Sequence, residues 1–200
     1  ENTNYIGQPT RLNGQIKPML DRALWSEPSE IVVNQHNSGK PIFPFVVMTA
    51  AESHFMVAEA ITKGLASGDA QGHYQTGLRH AMSLWDVSSA DIENFIATES
   101  MALLNGSTDQ NLEKIATQRW IALFTNGYEA WAVVRDTGYP TELSAGVSDD
   151  DIFVLGDLNG AYPQRHRYGT GPYNTNAANV EQANSEQGPD VQATKLWWAK

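Results

Sequence analysis

The amino-acid sequence predicts an all-α fold of stacked antiparallel helical hairpins, with long irregular segments at the N-terminal and C-terminal ends. Three observations support this prediction. Apolar residues recur at helical spacing through the middle of the chain, between residues 46 and 137. Capping signals precede these runs and short turns separate them, as in antiparallel helix pairs. Both ends of the chain are instead rich in loop-favouring residues such as Gly, Pro and Asn.

Composition places the chain among folded proteins and excludes several kinds of function. The 200 residues are 41% hydrophobic, which is enough to form a core. A net charge of −10 argues against nucleic acid as a partner, because nucleic-acid binders normally present a basic surface. The lack of cysteine excludes disulfides, thiolate nucleophiles and cysteine-based zinc sites. No uncharged apolar run approaches the roughly 20 residues of a membrane-spanning helix.

Residues 1–45 are the first of three predicted regions, an irregular lead-in segment. Prolines interrupt it at five positions, Pro9, Pro18, Pro28, Pro41 and Pro44. We expect extended loop with one helical turn near residues 19–25 and a short strand at residues 31–33. Because so long an irregular entry is unusual in a free-standing domain, we expect it to pack against an N-terminal part of a longer chain.

Residues 46–137 are the predicted helical hairpin core. The first helix carries apolar residues at i, i+4, i+7 and i+10, namely Ala51, Phe55, Ala58 and Ile61. The second carries them at i, i+4, i+7 and i+11, namely Tyr74, Leu78, Ala81 and Trp85. Gly64 should end the first helix and Asp69 should cap the second. Small residues between the large ones allow close helix contact, so this hairpin is tetratricopeptide-like.

Two further helices are predicted after this hairpin. Ser88-x-x-Asp91 is a capping box for a helix that should run to about Leu104. Ser107-x-x-Gln110 should open a fourth helix that continues to Thr137. Asn126-Gly127 interrupts that helix, and because glycine costs about 1 kcal/mol relative to alanine, we expect a kink or break there. We expect these two helices to form the better packed of the two hairpins.

Residues 138–200 are a predicted loop-rich tail with one short helix around residues 177–184. Glycines and prolines recur throughout it, which breaks any longer helix. It also contains too many aromatic residues for a disordered segment, namely Tyr162, Tyr168, Tyr173, Trp197 and Trp198. We therefore expect the tail to wrap over the helices.

Two glutamates offer an enzymatic alternative. Glu52 and Glu59 lie seven residues apart on one predicted helix, hence on the same side and roughly 10 Å apart. That separation suits the two carboxylates of an inverting glycosidase. Solvated surface charge or a capping contact is the simpler interpretation, and we prefer it. The sequence contains neither a G-x-S-x-G segment nor a phosphate-binding glycine loop.

The sequence favours neither a metal nor a cofactor. Asp149-Asp150-Asp151 could bind calcium, but it lacks the spacing of a calcium loop and is better interpreted as a solvated turn. His73 and His80 lie seven residues apart, unlike the i, i+4 spacing of a helical zinc pair. The basic cluster at residues 165–167 could meet an anionic sugar, although we expect it to pair with carboxylates. We predict no metal site and no cofactor.

Tryptophans are the best candidates for sugar contacts, because sugars stack their C–H faces on exposed aromatic rings. Five of the six belong to apolar helix faces or to the C-terminal end, where we expect packing, namely Trp85, Trp120, Trp131, Trp197 and Trp198. Trp25 differs, because it lies in an irregular polar stretch. If this chain contributes to a glycan site, Trp25 is the predicted platform. Asn34, Gln35 and His36 are its predicted polar partners.

Several motifs occur together, in order, between about residues 46 and 200. The longest, from residue 118 to residue 140, is Q-R-W-I-A-L-F-T-N-G-Y-E-A-W-A-V-V-R-D-T-G-Y-P. The others are Ala51-Glu52-x-x-Phe55-x-x-Ala58-Glu59-Ala60, Tyr162-Pro163-x-Arg165-x-Arg167-Tyr168, Asn174-x-Asn176-x-x-Asn179-x-x-x-Ala183 and Gly188-Pro189-Asp190-x-x-x-Thr194-Lys195-Leu196-Trp197-Trp198. Together they resemble the C-terminal portion of the SusD/RagB family of outer-membrane glycan-binding lipoproteins. Two positions depart from the family pattern, Gly169 where proline is common and Val180 where an aromatic residue is usual.

This resemblance implies a non-catalytic protein on the surface of a Bacteroidetes-type outer membrane. Such a protein would bind oligosaccharides or other nutrients and deliver them to a TonB-dependent SusC-like transporter. Family chains are more than twice this length and begin with a signal peptide and a lipidated cysteine. We therefore expect a fragment, attached to the membrane only through a lipid on a missing N-terminus. The alternatives are a helical protein–protein interaction scaffold and, less favoured, a glycoside hydrolase that uses Glu52 and Glu59.

Overall fold

The computed structural model describes residues 12–19, 26, 32 and 46–199. Within these residues the chain is all-α, as predicted, with eight α-helices and no β-strand. The helices are α1 (Ala50–Thr62), α2 (Ala70–Ser83), α3 (Ser89–Thr98), α4 (Thr108–Ala122), α5 (Gly127–Thr137), α6 (Thr141–Ser144), α7 (Thr170–Thr175) and α8 (Ala177–Gln187). The predicted turn near residues 19–25 and the predicted strand at 31–33 fall largely outside the described residues.

Backbone contacts divide the chain into two compact units. The helical unit comprises residues 46–145 and contains α1 to α6. The tail unit, for which the structure describes residues 12–19, 26, 32 and 146–198, contains α7 and α8. The α8 helix corresponds to the short helix predicted around residues 177–184. The prediction that the tail wraps over the helices stays a prediction.

The α1–α2 hairpin forms because both helices have strong start signals and matching apolar faces. The Thr49 hydroxyl accepts the Glu52 N–H at 3.1 Å to begin α1, and the Asp69 carboxylate accepts the Gly72 N–H at 2.9 Å to begin α2. After α1 the chain turns at Gly64, which has φ +73°. The predicted apolar faces meet in the main core, whose buried residues include Ala51, Phe55, Ala58, Tyr74 and Leu78.

A glycine permits the close approach of these two helices. A Cβ atom added at Gly77 of α2 would lie 2.6 Å and 2.8 Å from two ring carbons of Phe55 in α1. Phe55 is fully buried, so its ring has no open space into which it could move. The small residue expected at this position is therefore a packing requirement of the hairpin.

The third helix is shorter than predicted. It begins after Ser88, whose hydroxyl accepts the Asp91 N–H at 3.1 Å, but it ends at Thr98 instead of near Leu104. A 3-10 turn follows at residues 100–102. The hydroxyl of Tyr74 binds the Met101 carbonyl at 2.6 Å, and Gln71 binds the backbone of Ala102 and Leu104. Gln71 thus takes the Leu104 N–H, which a helix continued to Leu104 would bond to the Ser100 carbonyl, and Gln71 and Tyr74 satisfy two carbonyls of this turn.

The fourth predicted helix is divided at the expected point. Ser107 and Gln110 form the predicted capping box of α4. The chain leaves helical geometry after Ala122 and re-enters it at Gly127, where the Asn126 side chain accepts the Glu129 N–H. The α5 helix therefore packs against α4 as a separate helix. The predicted pairing of the third and fourth helices was wrong, since the second hairpin is α4–α5.

The prediction that the second hairpin is the better packed was also wrong. Its own buried cluster is small, with Ala116, Leu123 and Val133 at its centre. The main core instead joins α1 and α2 to Ile92 and Ile96 of α3 and Ile115 of α4. The α4 helix therefore contributes one face to the main core and another to the contact with α5.

Candidate functional site

A groove of about 560 Å³ opens in the helical unit beside the first half of α4. Its lining comes from the segment before α4, from α4 itself and from the start of α6. The lining residues are Met101, Asn105, Gly106, Gln110, Glu113, Lys114, Thr117, Pro140 and Glu142. We call this feature the α4–α6 groove. Its volume lies within the range of roughly 300–1,000 Å³ that is usual for small-ligand sites.

The wall of the groove between residues 101 and 106 is fixed from one side by Lys114. The Lys114 ammonium donates to the carbonyls of Leu103 at 2.6 Å and Ser100 at 2.9 Å. It also donates to the Asn105 side-chain oxygen at 3.2 Å. An ammonium group has three donors, so these contacts use its full hydrogen-bonding capacity. Lys114 thus holds the wall in place, and its charge is already solvated by protein oxygens.

The same wall is fixed from the other side by α2. Gln71 donates to the Ala102 carbonyl at 2.9 Å and accepts the Leu104 N–H at 2.6 Å. The Tyr74 hydroxyl donates to the Met101 carbonyl, and burial raises the pKa of this phenol well above its usual value, so it stays a donor. The groove is therefore a preformed feature supported by three side chains.

Several polar groups in the groove are available to a ligand. Among the described residues, neither the Glu113 nor the Glu142 carboxylate has an ion-pair or hydrogen-bond partner. Gln110, which also lines the groove, accepts the Ser107 N–H with its side-chain oxygen, so this cap does not use its two amide donors. The Thr117 hydroxyl adds another donor and acceptor. Such a lining suits a ligand rich in hydroxyl groups.

Glu52 and Glu59 do not form the arrangement of a glycosidase. Arg119 of α4 lies between them, with its guanidinium nitrogens 3.4 Å from Glu52 and 3.5 Å from Glu59. Lys63 also pairs with Glu59. Glu52 is only 6% exposed, so the preferred interpretation of solvated charge was wrong for this residue. Its carboxylate anchors α4 to α1 and does not face an open cleft.

The tail unit contains a second buried ion pair. Arg165, which is 4% exposed, binds Asp190 at 2.9 Å, and Arg167 binds Asp157 at 2.8 Å. Asp190 also accepts the Tyr168 N–H and, at 2.7 Å, the Tyr173 hydroxyl. The expected pairing of the basic cluster with carboxylates is confirmed. Asp190 therefore connects two of the motifs on which the family resemblance depends.

The acidic run at residues 149–151 folds as a turn. The Asp149 carboxylate accepts the Asp151 N–H at 3.0 Å and the Ile152 N–H at 3.3 Å. This local bonding matches the preferred interpretation of the run. In the described part of the chain, no group of three or more His, Asp or Glu side chains is placed to hold a metal ion.

Three histidines gather on the α1–α2 hairpin, although no spacing pattern in the sequence predicts this cluster. The Nδ1 atoms of His54 and His73 lie 3.0 Å apart, and the rings of His54 and His80 stack at 5.5 Å. Desolvation, followed by the nearby His73 and His80, lowers the pKa of His54. Spacing along α2 could have suggested His73 and His80 as neighbours, but the contribution of α1 required the hairpin.

The tryptophans differ in how far their side chains are buried, and the prediction that they pack in the core does not hold for all of them. Trp85, Trp120 and Trp131 are half-buried, and Trp85 lies against Phe124. Trp197 is 77% exposed, so the packing expected of it was wrong. The four predicted ligand-binding residues lie outside the described residues, namely Trp25, Asn34, Gln35 and His36.

Sequence reasoning also missed the α4–α6 groove. A weak signal was present, because Gln110, Glu113 and Thr117 recur at helical spacing and form a polar stripe on α4. A polar stripe on a helix usually means a solvated face, so the pattern alone could not identify a groove. The opposite wall comes from the segment around residue 101 and from α6, which only the fold brings together.

Comparisons with known proteins agree with this fold. A SusD-like family, described as starch-binding and associating with the outer membrane, matches residues 3–168. None of the curated proteins matches the chain. Across the described helices, none is both long and apolar enough to span a membrane.

Solved structures of SusD-like proteins are also similar to this chain. The chain is similar to a SusD-like protein of Bacteroidetes AC2a, with 28% identity and a TM-score of 0.68 over 78% of this chain and 30% of that one. A SusD-like protein from Bacteroides thetaiotaomicron shows 31% identity and a TM-score of 0.61 over 76% and 36% of the two chains. A chitin-binding protein shows 26% identity and a TM-score of 0.63 over 74% and 32%.

This chain spans about a third of the length of the solved relatives. The family associates with the outer membrane. Its members are binding proteins and not enzymes. Because the family match covers most of the sequence and the fold agrees with it, the chain belongs to the SusD-like family.

Proposed function

We propose that this chain is part of a surface-exposed lipoprotein that captures oligosaccharides or other nutrients and delivers them to a TonB-dependent SusC-like transporter. The observation that carries the proposal is the match of residues 3–168 to a starch-binding, outer-membrane-associated family. A relative of similar fold is a chitin-binding protein, which supports glycans as the first ligands to test. Catalysis is not part of the proposal.

The proposed glycan contacts are Trp25, Asn34, Gln35 and His36. An indole ring can stack on the apolar face of a sugar, and amide or imidazole groups can bind the neighbouring hydroxyls. The support for this assignment is the sequence context of Trp25, which lies outside the apolar periodicity of the helices.

Fluorescently labelled oligosaccharides incubated with the protein test the proposal. We expect measurable affinity without release of new reducing ends. Trp25→Ala should weaken binding about twofold to tenfold, because a stacked ring contributes on the order of 0.5–1.5 kcal/mol. Trp197→Ala is the matched control, since Trp197 is an exposed tryptophan in another part of the sequence. Equal loss in both variants, or unchanged binding by Trp25→Ala, would refute the residue assignment.

A protein–protein scaffold is the second candidate function. The end of α4 and the turn after it expose two large apolar side chains, Ile121 at 50% and Phe124 at 52%. Exposed apolar groups on stacked helices are typical of partner-binding surfaces. Affinity purification separates the two candidates. Retention of a SusC-like transporter together with bound glycan supports nutrient delivery, whereas protein partners without any glycan affinity support the scaffold.

A further inference from the structure

We propose that the α4–α6 groove is a saccharide subsite that accepts neutral or amino-bearing sugars and rejects sugars that carry carboxylate or sulfate groups. The inference rests on the proposed glycan-binding function and adds to it a second location and a charge preference. It concerns a different part of the chain from Trp25.

The charge of the lining sets the preference. Glu113 of α4 and Glu142 of α6 both line the groove, and within the described residues neither carboxylate is neutralised by a basic partner. Lys114 is the basic residue in the lining, but its ammonium is committed to Leu103, Ser100 and Asn105. The lining thus holds two carboxylates against one ammonium whose donors are already used, so an anionic sugar would meet a net negative charge and no free ammonium donor. An ammonium group on a sugar would instead be attracted to it.

The chemistry of the lining suits hydroxyl groups. Two carboxylates supply strong acceptors for sugar O–H donors, and hydrogen bonds to charged acceptors are stronger than neutral ones. The Gln110 amide and the Thr117 hydroxyl can donate to ring and hydroxyl oxygens. Met101, which is half-buried, supplies apolar surface for the C–H face of a sugar ring. The lining therefore provides the three kinds of contact that a sugar requires.

The rigidity of the groove favours binding. Gln71, Tyr74 and Lys114 fix the wall between residues 101 and 106 through hydrogen bonds to its backbone. The other wall is α4, whose first turn is held by the Ser107–Gln110 capping box. A ligand would not have to order this site on binding, so little of the contact energy is lost to entropy.

Isothermal titration calorimetry on the full chain tests the inference with three probes that differ in charge. The probes are a neutral maltooligosaccharide, a cationic chitosan oligosaccharide and an anionic oligogalacturonate. We expect binding of the first two probes and none of the third. The variant pair Glu113→Gln and Glu142→Gln, made together, should weaken binding of the cationic probe roughly tenfold. Glu129→Gln, on an exposed position of α5 outside the groove, is the matched control.

The double variant keeps the shape of the groove, so circular dichroism and urea unfolding should match the unmodified chain. Tighter binding of the oligogalacturonate by the double variant would support the charge argument directly. Binding that survives the double variant unchanged but is lost in Trp25→Ala would overturn the inference and leave the proposed function intact. No binding of any probe by the unmodified chain would overturn the inference, whereas the proposed function is tested separately by the labelled oligosaccharides. Strong binding of oligogalacturonate by the unmodified chain would refute the charge preference.

Discussion

At the scale of single residues, Arg119 determines how α4 is held against α1. Its guanidinium bonds to two glutamates of α1, Glu52 and Glu59, and its Nε atom is buried without a hydrogen-bond partner among the described residues. A buried pair of this kind is costly to break, because the remaining charge stays in an apolar setting. The pair that suggested a glycosidase is therefore better understood as a connection between two helices.

This arrangement predicts a strong coupling between Glu52 and Arg119. Arg119→Met should destabilise the fold by about 3 kcal/mol, since it leaves the Glu52 carboxylate buried and unpaired. Adding Glu52→Gln should recover most of that loss, because the unpaired charge is then removed. Urea unfolding of both single variants and the double variant measures the coupling. Simply additive losses would show that the two residues do not interact.

The histidine cluster predicts a pH dependence. The pKa of His54 is lowered from 6.5 by desolvation and by His73 and His80, so the folded state takes up a proton less readily than the unfolded chain. Neutral His54 therefore makes its full contribution to the free energy of unfolding above about pH 6.5. This contribution is lost as the pH falls from there through the lowered pKa of the folded state. Protonation also removes the acceptor from the Nδ1 contact between His54 and His73.

His54→Gln should therefore flatten the dependence of the unfolding midpoint on pH between about pH 7 and pH 5. His166→Gln, which changes an exposed histidine of the tail unit, is the control and should leave the slope unchanged. Thermal unfolding across this pH range provides the measurement. An identical slope in His54→Gln and the unmodified chain would contradict the assignment.

At the scale of elements, the close packing of the α1–α2 hairpin requires a residue without a Cβ atom at Gly77. Gly77→Ala places a Cβ atom against the buried Phe55 ring. Overpacking destabilises a fold by about 1–3 kcal/mol, whereas the higher helix propensity of alanine stabilises it by at most about 1 kcal/mol. Gly127→Ala is the control, because no atom lies within 4 Å of the new Cβ. In urea unfolding, the free energy of unfolding of Gly77→Ala should be lower than that of Gly127→Ala by at least about 1 kcal/mol. The reverse order would refute the packing argument.

The wall of the α4–α6 groove between residues 101 and 106 is held by hydrogen bonds from the Gln71 side chain. Gln71→Ala removes the hydrogen bonds to Ala102 and Leu104 and should lower the free energy of unfolding by about 2 kcal/mol. The Leu104 amide, which loses its acceptor, should exchange faster with solvent. Gln75→Ala is the matched control, since Gln75 makes one long contact of 3.5 Å to Ala102. Hydrogen exchange measured by NMR would contradict this account if the Leu104 amide were equally protected in both variants.

At the scale of the whole molecule, the chain represents about a third of the length of its solved relatives. Its helical unit nevertheless has a continuous core that draws residues from α1, α2, α3 and α4. We expect a fragment of residues 46–145 to retain helical circular dichroism and a cooperative urea transition, because its core is built within that range. A non-cooperative transition would show that the core needs the rest of the protein.

The starts of the helices could be read from the sequence, because capping is local. Asp69, Ser88 and Ser107 each accept a backbone N–H from three residues further along the chain. The apolar faces of α1 and α2 were equally predictable, since helical geometry alone puts residues three and four apart on one side. The family motifs added the association with the outer membrane.

Contacts between distant residues were decided only by the tertiary structure. Glu52 and Arg119 are 67 residues apart, and no local pattern shows that their side chains meet. The early end of α3 has the same origin, because Gln71 binds the Leu104 N–H from 33 residues away. The α4–α6 groove likewise needs three separate segments. The sequence by itself determined where helices begin and which faces are apolar, whereas the pairing of those faces depends on long-range packing that local spacing does not encode.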